Sequence, residues 1–308
     1  MSKSKPRKAR TEKLLDSEYD ITELSGNVTA TKKVKNPKTL TKSTAAKPSA
    51  PAKPITTEDH KSAIREIIGV KPCFKFKTKA QEDCFKVLDE NTISFVGGLA
   101  GTGKSWNATV YALLQLWKSD NKITKIYVTK PNVELMGYSL GYLPATKEAK
   151  MAPYIASLQA IATQIIGKEA TEKLIEAGYI EVQPLAYIRG NTANNCVWIF
   201  DEGQNASKLA MKTVLTRLGE DSKLIITGDS YQCDMFKDYR ESGMYDATCK
   251  LQGIEGIGFY DFTNLEDIVR NPLISKILAR YYDEEAPANG VPGPAATVGG
   301  WRAARECL

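Results

Sequence analysis

Histidine is almost missing from this chain: His60 stands alone among 308 residues. Six cysteines (Cys73, Cys84, Cys196, Cys233, Cys249 and Cys307) are scattered without a CxxC pair, so one imidazole cannot complete a Cys/His zinc set. Unpaired thiols fit a reduced, cytoplasmic setting without a structural metal. No stretch approaches the roughly 18 apolar residues of a membrane span. The basic start "MSKSKPRKAR" is not followed by the apolar segment of a signal peptide, so no membrane association is expected. Within that start, "KPRKAR" reads as a solvated basic arm rather than a nuclear address. No internal repeat is present.

Charge is unevenly distributed. The whole chain carries +6, yet residues 1–55 alone hold 13 Lys and Arg against 5 Asp and Glu, so the remainder is slightly acidic. Residues 29–57 are rich in Lys, Thr, Ala and Pro and poor in large apolar side chains, and cannot bury enough surface to offset the entropy of ordering. Residues 1–58 therefore read as a disordered basic tail, serving either solubility or salt-sensitive attraction to nucleic acid. Residues 284–308, dominated by Pro, Gly and Ala, read as an unstructured extension. Between them, 59–283 is expected to form one folded domain.

Four short runs in that domain, "ISFVG" (93–97), "KIYVT" (125–129), "CVWIF" (196–200) and "KLIIT" (223–227), are apolar on both faces. Strands of a parallel sheet covered on both sides by helices have this pattern. Helical spacing places Trp106, Val110, Leu113, Leu114 and Trp117 on one face, and Met151, Ile155, Leu158, Ile161 and Ile165 on another. Trp106 accordingly reads as core packing. The expected fold class is α/β, a three-layer P-loop nucleotide-binding sheet with helices on both faces.

Gly98, Gly103, Lys104 and Ser105 satisfy GxxxxGK[ST] between the first strand and a helix, with Gly101 and Thr102 completing the loop. Glycines let successive backbone N–H groups turn toward an anion, and the helix N-terminus adds its partial positive charge. Lys104 is expected to reach the β- and γ-phosphates of ATP, and Ser105 to place its hydroxyl on Mg²⁺. "VWIFDEGQN" (197–205) ends a strand in two carboxylates: Asp201 suits the metal and Glu202 is placed to polarise an attacking water. The pair separates this chain from most P-loop kinases and GTPases. "NKIT" (121–124) lacks the carboxylate needed for guanine recognition.

"LIITGDSYQCD" (224–234) brings Thr227, Gly228 and Asp229 to the same sheet edge, because parallel strands end together. Gln232 then stands ready to touch the γ-phosphate or the attacking water. In "KTKAQEDCFKVLDEN" (77–91), the Gln81 amide could match adenine N6 and N7, or could simply be an exposed helical side chain.

The order of Gln81, "GLAGTGKS", "TKPNVE", "GYLPATKEAKMAPY", "PLAYIRGNT", "FDEGQN", "TGDSYQCD" and "DIVRNPLI" over residues 74–283 resembles PhoH-like proteins of bacteria and bacteriophages. The resemblance implies one RecA-like ATPase domain related to the first motor domain of superfamily 1 helicases. It maps Lys104, Ser105, Asp201, Glu202 and Gln232 onto the ATP site and matches Arg189 and Arg270 to motif arginines. Departures from the family are Leu99 where Pro is frequent, Ser105 where Thr is usual, and Lys130 where Arg is common. The last weakens any bidentate contact at that position. No second motor domain accompanies the first. An arginine finger would therefore come in trans from another subunit of a homo-oligomer, with Arg270 as the candidate because Asn271 and Pro272 fix its backbone at a helix start.

These readings lead to an expectation of Mg²⁺-dependent ATP hydrolysis coupled to single-stranded RNA or DNA. The competing expectation is a binding protein that uses ATP as a switch to recruit a partner.

Overall fold

The computed structural model describes residues 56–131, 147–188 and 190–285. Residues 1–55 of the basic tail, 132–134 of "TKPNVE", 141–146 of "GYLPATKEAKMAPY", Arg189 and the extension from 286 lie outside the described residues.

Helix α1 (Thr57–Ile68) starts where sequence chemistry allows it to. The Thr56 hydroxyl accepts from the Asp59 amide while Asp59 reaches back to the Thr56 amide, a reciprocal cap. α2 (Lys79–Glu90) is capped in the same position by Thr78. Strand β1 (Ile93–Gly98) then runs into the glycine loop and α3 (Lys104–Trp117). After β2 (Lys125–Thr129) come α4 (Lys147–Ile166) and α5 (Lys168–Glu176). Strand β3 (Ile180–Val182) and the short α6 (Leu185–Ile188) lead to β4 (Cys196–Phe200) and α7 (Lys208–Leu215). β5 (Lys223–Thr227), α8 (Gly243–Lys250), β6 (Ile257–Phe262) and α9 (Pro272–Glu285) complete the order.

The six strands form a single sheet in the order β3-β2-β4-β5-β1-β6, and every pairing is parallel. The four central strands are those expected from sequence. β3 and β6 are the edges, and neither carries the continuous apolar run of a strand covered on both sides. β3 is three residues long, and β6 leaves most of its side chains half-exposed.

Two apolar layers cover the faces. One joins Ile64 of α1, Leu88 of α2, Leu113 of α3, Leu158 of α4 and Leu174 of α5 to Val96, Ile126 and Ile199. The other packs Met211 and Val214 of α7 and Met244 of α8 on Phe95, Trp198 and Ile226. The α/β three-layer expectation holds. Right-handed crossovers produce this segregation: links running from β1 toward β3 put their helices on one face, and links running back put theirs on the other.

α3 is enclosed more completely than a one-faced helix, with Asn107, Thr109 and Gln115 buried alongside its apolar residues. Its neighbours α1, α2 and α4 press on it from three sides. Among the described residues no helix is long and apolar enough to cross a membrane.

Candidate active site

Parallel pairing brings the C-terminal tips of β1, β5 and β4 side by side, with Val96 opposite Thr227 and Phe200 opposite Ile226. The glycine loop, Asp201 and Asp229 therefore open onto one cavity of 630 Å³, within the usual range for a small-molecule site.

The loop's shape is set by what surrounds it. Gly98 has φ +116°, and a Cβ there would collide with the Phe262 backbone of β6. Gly103 has φ +98° and caps α3 without any side-chain hydrogen bond. The first-turn amides of α3 thus lack a capping side chain, leaving them to face an anion. A Cβ on Gly103 would come within 2.6 Å of Gln81 Nε2. Thr102 is fully buried and its hydroxyl donates to the Leu99 carbonyl at 2.9 Å. Gly98 and Thr102, both expected to touch the nucleotide, do not line the cavity and instead hold the loop in shape.

Gly101, Gly103, Lys104 and Ser105 do line it. Lys104 Nζ donates to the carbonyls of Gly98 (2.5 Å) and Leu99 (2.9 Å) and lies 3.7 Å from Asp229 Oδ2. Burial pushes its ammonium below the ordinary lysine range, against the attraction of Asp229, Asp261, Glu202 and Asp201.

Asp201 and Asp229 show opposite behaviour. Asp201 Oδ1 accepts from Ser105 Oγ (3.1 Å) and Thr227 Oγ1 (2.5 Å), and Oδ2 pairs with Lys130 Nζ at 2.9 Å. Burial opposes its charge, but Lys130, Thr227 and Ser105 outweigh burial and hold the carboxyl below the usual range. Burial raises Asp229, with Lys104 only partly compensating, and its Oδ2 has no hydrogen-bond partner.

Ser105 Oγ and Asp201 Oδ1, both hard oxygen donors, stand 3.1 Å apart, while Lys130 pairs with the other oxygen of the carboxylate. This donor set fits Mg²⁺. Among the described residues no group of three or more His, Cys, Asp or Glu could hold a metal alone, as expected where phosphate oxygens complete the coordination.

Glu202 lines the cavity with a left-handed backbone, φ +61°. A non-glycine residue pays on the order of 1 kcal/mol for this conformation, which persists where the surroundings over-determine it. Here the Asn205 amide closes a turn on the Glu202 carbonyl at 3.0 Å, and Gln204 Nε2 donates to Glu202 Oε2 at 2.7 Å. Gln232 also lines the cavity.

Gln81 is buried rather than exposed. Its Oε1 accepts from the Lys77 amide and its Nε2 donates to the Thr102 carbonyl, tying α2 to the loop. One lone pair and one N–H remain for a base.

Arg270 lines the same cavity. It lies on its own chain's loop, where its Cδ would meet a Cβ on Gly101 at 3.0 Å, and the adjacent Val269 amide donates to the Gly101 carbonyl. Asn271 does cap α9, accepting from the Leu273 amide at 2.9 Å.

Sequence reasoning missed the far wall of the cavity. Ser157, Ile161 and Gln164 recur at i, i+4 and i+7 and turn one stripe of α4 toward it, beside Trp106. Trp106, read from sequence as core, stands edge-on to Phe74 and Phe76 while lining the cavity. The i+4 spacing of Ile161 fitted a core face equally well, so periodicity alone could not separate the two.

The sequence pattern of a family described as PhoH-like protein matches residues 73–282. A PhoH-like protein of Bacillus subtilis is 41% identical over 207 residues, covering 67% of this chain and 63% of its own. Protein PhoH of Escherichia coli is 34% identical over 207 residues, covering 67% of this chain and 57% of its own. The chain thus spans just under two thirds of the length of these relatives. Among solved structures, the Pif1 helicase of Candida albicans aligns at 16% identity with a TM-score of 0.30, over 63% of this chain and 42% of that one. A likeness of that size says nothing about activity.

Proposed function

The chain belongs to the PhoH-like family, and from that premise we propose that it is a Mg²⁺-dependent ATP hydrolase whose turnover is coupled to single-stranded nucleic acid. The observation that carries the reading is the junction at Asp201, where the loop serine, the β5 threonine and Lys130 meet on one carboxylate next to Glu202.

In this reading Lys104 leaves the carbonyls of Gly98 and Leu99 for the β- and γ-phosphates, a stronger acceptor than neutral oxygens. The α3 amides and the loop backbone hold the phosphate chain in place. Ser105 and Asp201 would hold Mg²⁺, which when bound neutralises charge on the phosphate oxygens. Glu202 accepts the proton of the attacking water, and Gln232 orients that water. Arg270 stabilises negative charge developing on the transferring phosphate from within the same chain, so this role does not require a second subunit. Gln81 reads the base with its remaining donor and acceptor. Coupling to RNA or single-stranded DNA rests on the basic N-terminal segment, whose attraction to phosphates weakens with salt.

The test is phosphate release with and without poly-nucleotides. Lys104→Ala and Glu202→Gln should each lower turnover by about 100-fold or more, the second while still binding ATP. Full turnover by Glu202→Gln removes the base assignment. ATP binding without turnover in the unaltered protein would favour the switch reading.

A further inference from the structure

Gln204 lies between the strand-tip loop that carries Glu202 and the loop that carries Asp229 and Gln232. It is fully buried. Its Nε2 donates to Glu202 Oε2 at 2.7 Å and to the Gln232 carbonyl at 3.0 Å, and its Oε1 accepts from the Asp229 amide at 3.0 Å. Both amide hydrogens are thereby used on acceptors and the oxygen on a donor. Rotating the amide by half a turn would set its oxygen against a carboxylate and a carbonyl, and its NH₂ against an N–H, so one orientation is imposed. The bond to Glu202 is the shortest of the three.

The neighbouring residues extend the same connection. Asn205, also buried, accepts through Oδ1 from the amides of Asp234 (2.8 Å) and Met235 (3.2 Å). Gly203 leaves no room for a side chain: a Cβ would lie 2.8 Å from Ile226 Cγ2. The turn carrying Glu202 is therefore bonded to the 229–235 loop at Asp229, Gln232, Cys233, Asp234 and Met235, and Gln204 also reaches the Glu202 carboxylate.

We propose that Gln204 is a positioning residue that fixes the Glu202 carboxylate and ties it to the loop bearing Asp229 and Gln232. This inference rests on the reading of Glu202 as the base. It adds that base and sensor move as one unit because a single side-chain amide bonds both. Without the Glu202 carboxylate the Gln204 amide loses one of its three partners, and its bonds to Asp229 and Gln232 lose an anchor.

Two measurements test this. Gln204→Glu keeps an acceptor for the Asp229 amide but replaces both donors with a carboxylate oxygen facing Glu202 and the Gln232 carbonyl. Its kcat should fall by about 100-fold while its affinity for a non-hydrolysable ATP analogue stays within about threefold of the unaltered protein. Wild-type kcat, or a loss confined to KM, overturns the proposal. The second measurement does not need that variant to fold. In the full chain, Glu202→Ala should speed amide hydrogen exchange across residues 229–235 by about fivefold or more. Unchanged exchange there overturns the coupling. Because exchange is measured without turnover, a failure of Glu202 as base, seen as full activity in Glu202→Gln, is distinguished from a failure of Gln204 as the link.

Discussion

Asp201→Asn and Asp229→Asn, isosteric changes at adjacent strand tips, should act on stability in different ways. Asp201 has a partner for each oxygen, including Lys130 at 2.9 Å. Removing one member of a buried ion pair costs about 3–5 kcal/mol, because the other charge is left in low dielectric. Lys130 keeps 19% of its side-chain exposure, and an asparagine oxygen still accepts from Thr227. We therefore expect a loss of about 2–3 kcal/mol, just below that range. At Asp229 the situation is reversed. Its Oδ2 lacks a hydrogen bond, and an unsatisfied buried polar group costs about 1–3 kcal/mol. The amide is cheaper to bury than the carboxylate, and Lys104 retains the Gly98 and Leu99 carbonyls. The substitution should leave stability within about 1 kcal/mol of the starting protein, with any change toward greater stability. Urea unfolding at pH 7 without nucleotide or Mg²⁺ reads both, since bound ligand would add stability by mass action. With a slope of about 2–3 kcal/mol per molar, Asp201→Asn should lower the midpoint by about 1 M. If Asp201→Asn matches the unaltered protein, or if Asp229→Asn is the more damaging of the two, the contrast drawn between the carboxylates is wrong.

Arg270 supports a mixing experiment: combining Arg270→Ala with Lys104→Ala protein should restore no turnover, because the arginine serves its own loop, whereas recovery toward one quarter or more of normal activity would place it in trans. Gly98→Ala should fold poorly or lose about 3 kcal/mol or more, from a positive φ and a clash with the Phe262 backbone; a thermal midpoint equal to the parent's would contradict this. Lys61 sits 5% exposed with its Nζ on the Gln115 and Leu116 carbonyls that end α3 and on Asn121 Oδ1, and burial, aided by nearby Arg65, pushes its ammonium down to about 8. Between that value and the ordinary 10.5 the unfolded chain binds more protons, so stability should rise with pH. Thermal midpoints at pH 7.5 and 9.5 check the sign: the parent should gain relative to Lys61→Met, and parallel curves for the two would refute it.

The candidate site was legible in the sequence because it is local. Gly98 to Ser105 is one loop, Asp201 and Glu202 are adjacent, and the four central strands are apolar on both faces since both faces are covered. Each of these is a short-range pattern with a direct physical cause. β6 escaped notice because an edge strand needs no such pattern, yet its Phe262 backbone is what forces glycine at position 98.

Spacing alone settled the sheet's class, the glycine loop at its edge and the order in which the two carboxylates follow it. Folding alone decided which groups meet across long separations. Lys130 faces Asp201, Gln204 bridges Glu202 and the 229–235 loop, and Arg270 is returned to its own Gly101. It also turned Gln81 from a surface side chain into a buried tie between α2 and the loop. The reason is geometric: residue order fixes what each strand tip carries, but side-chain partners follow from which tips lie side by side and how the helices press against them.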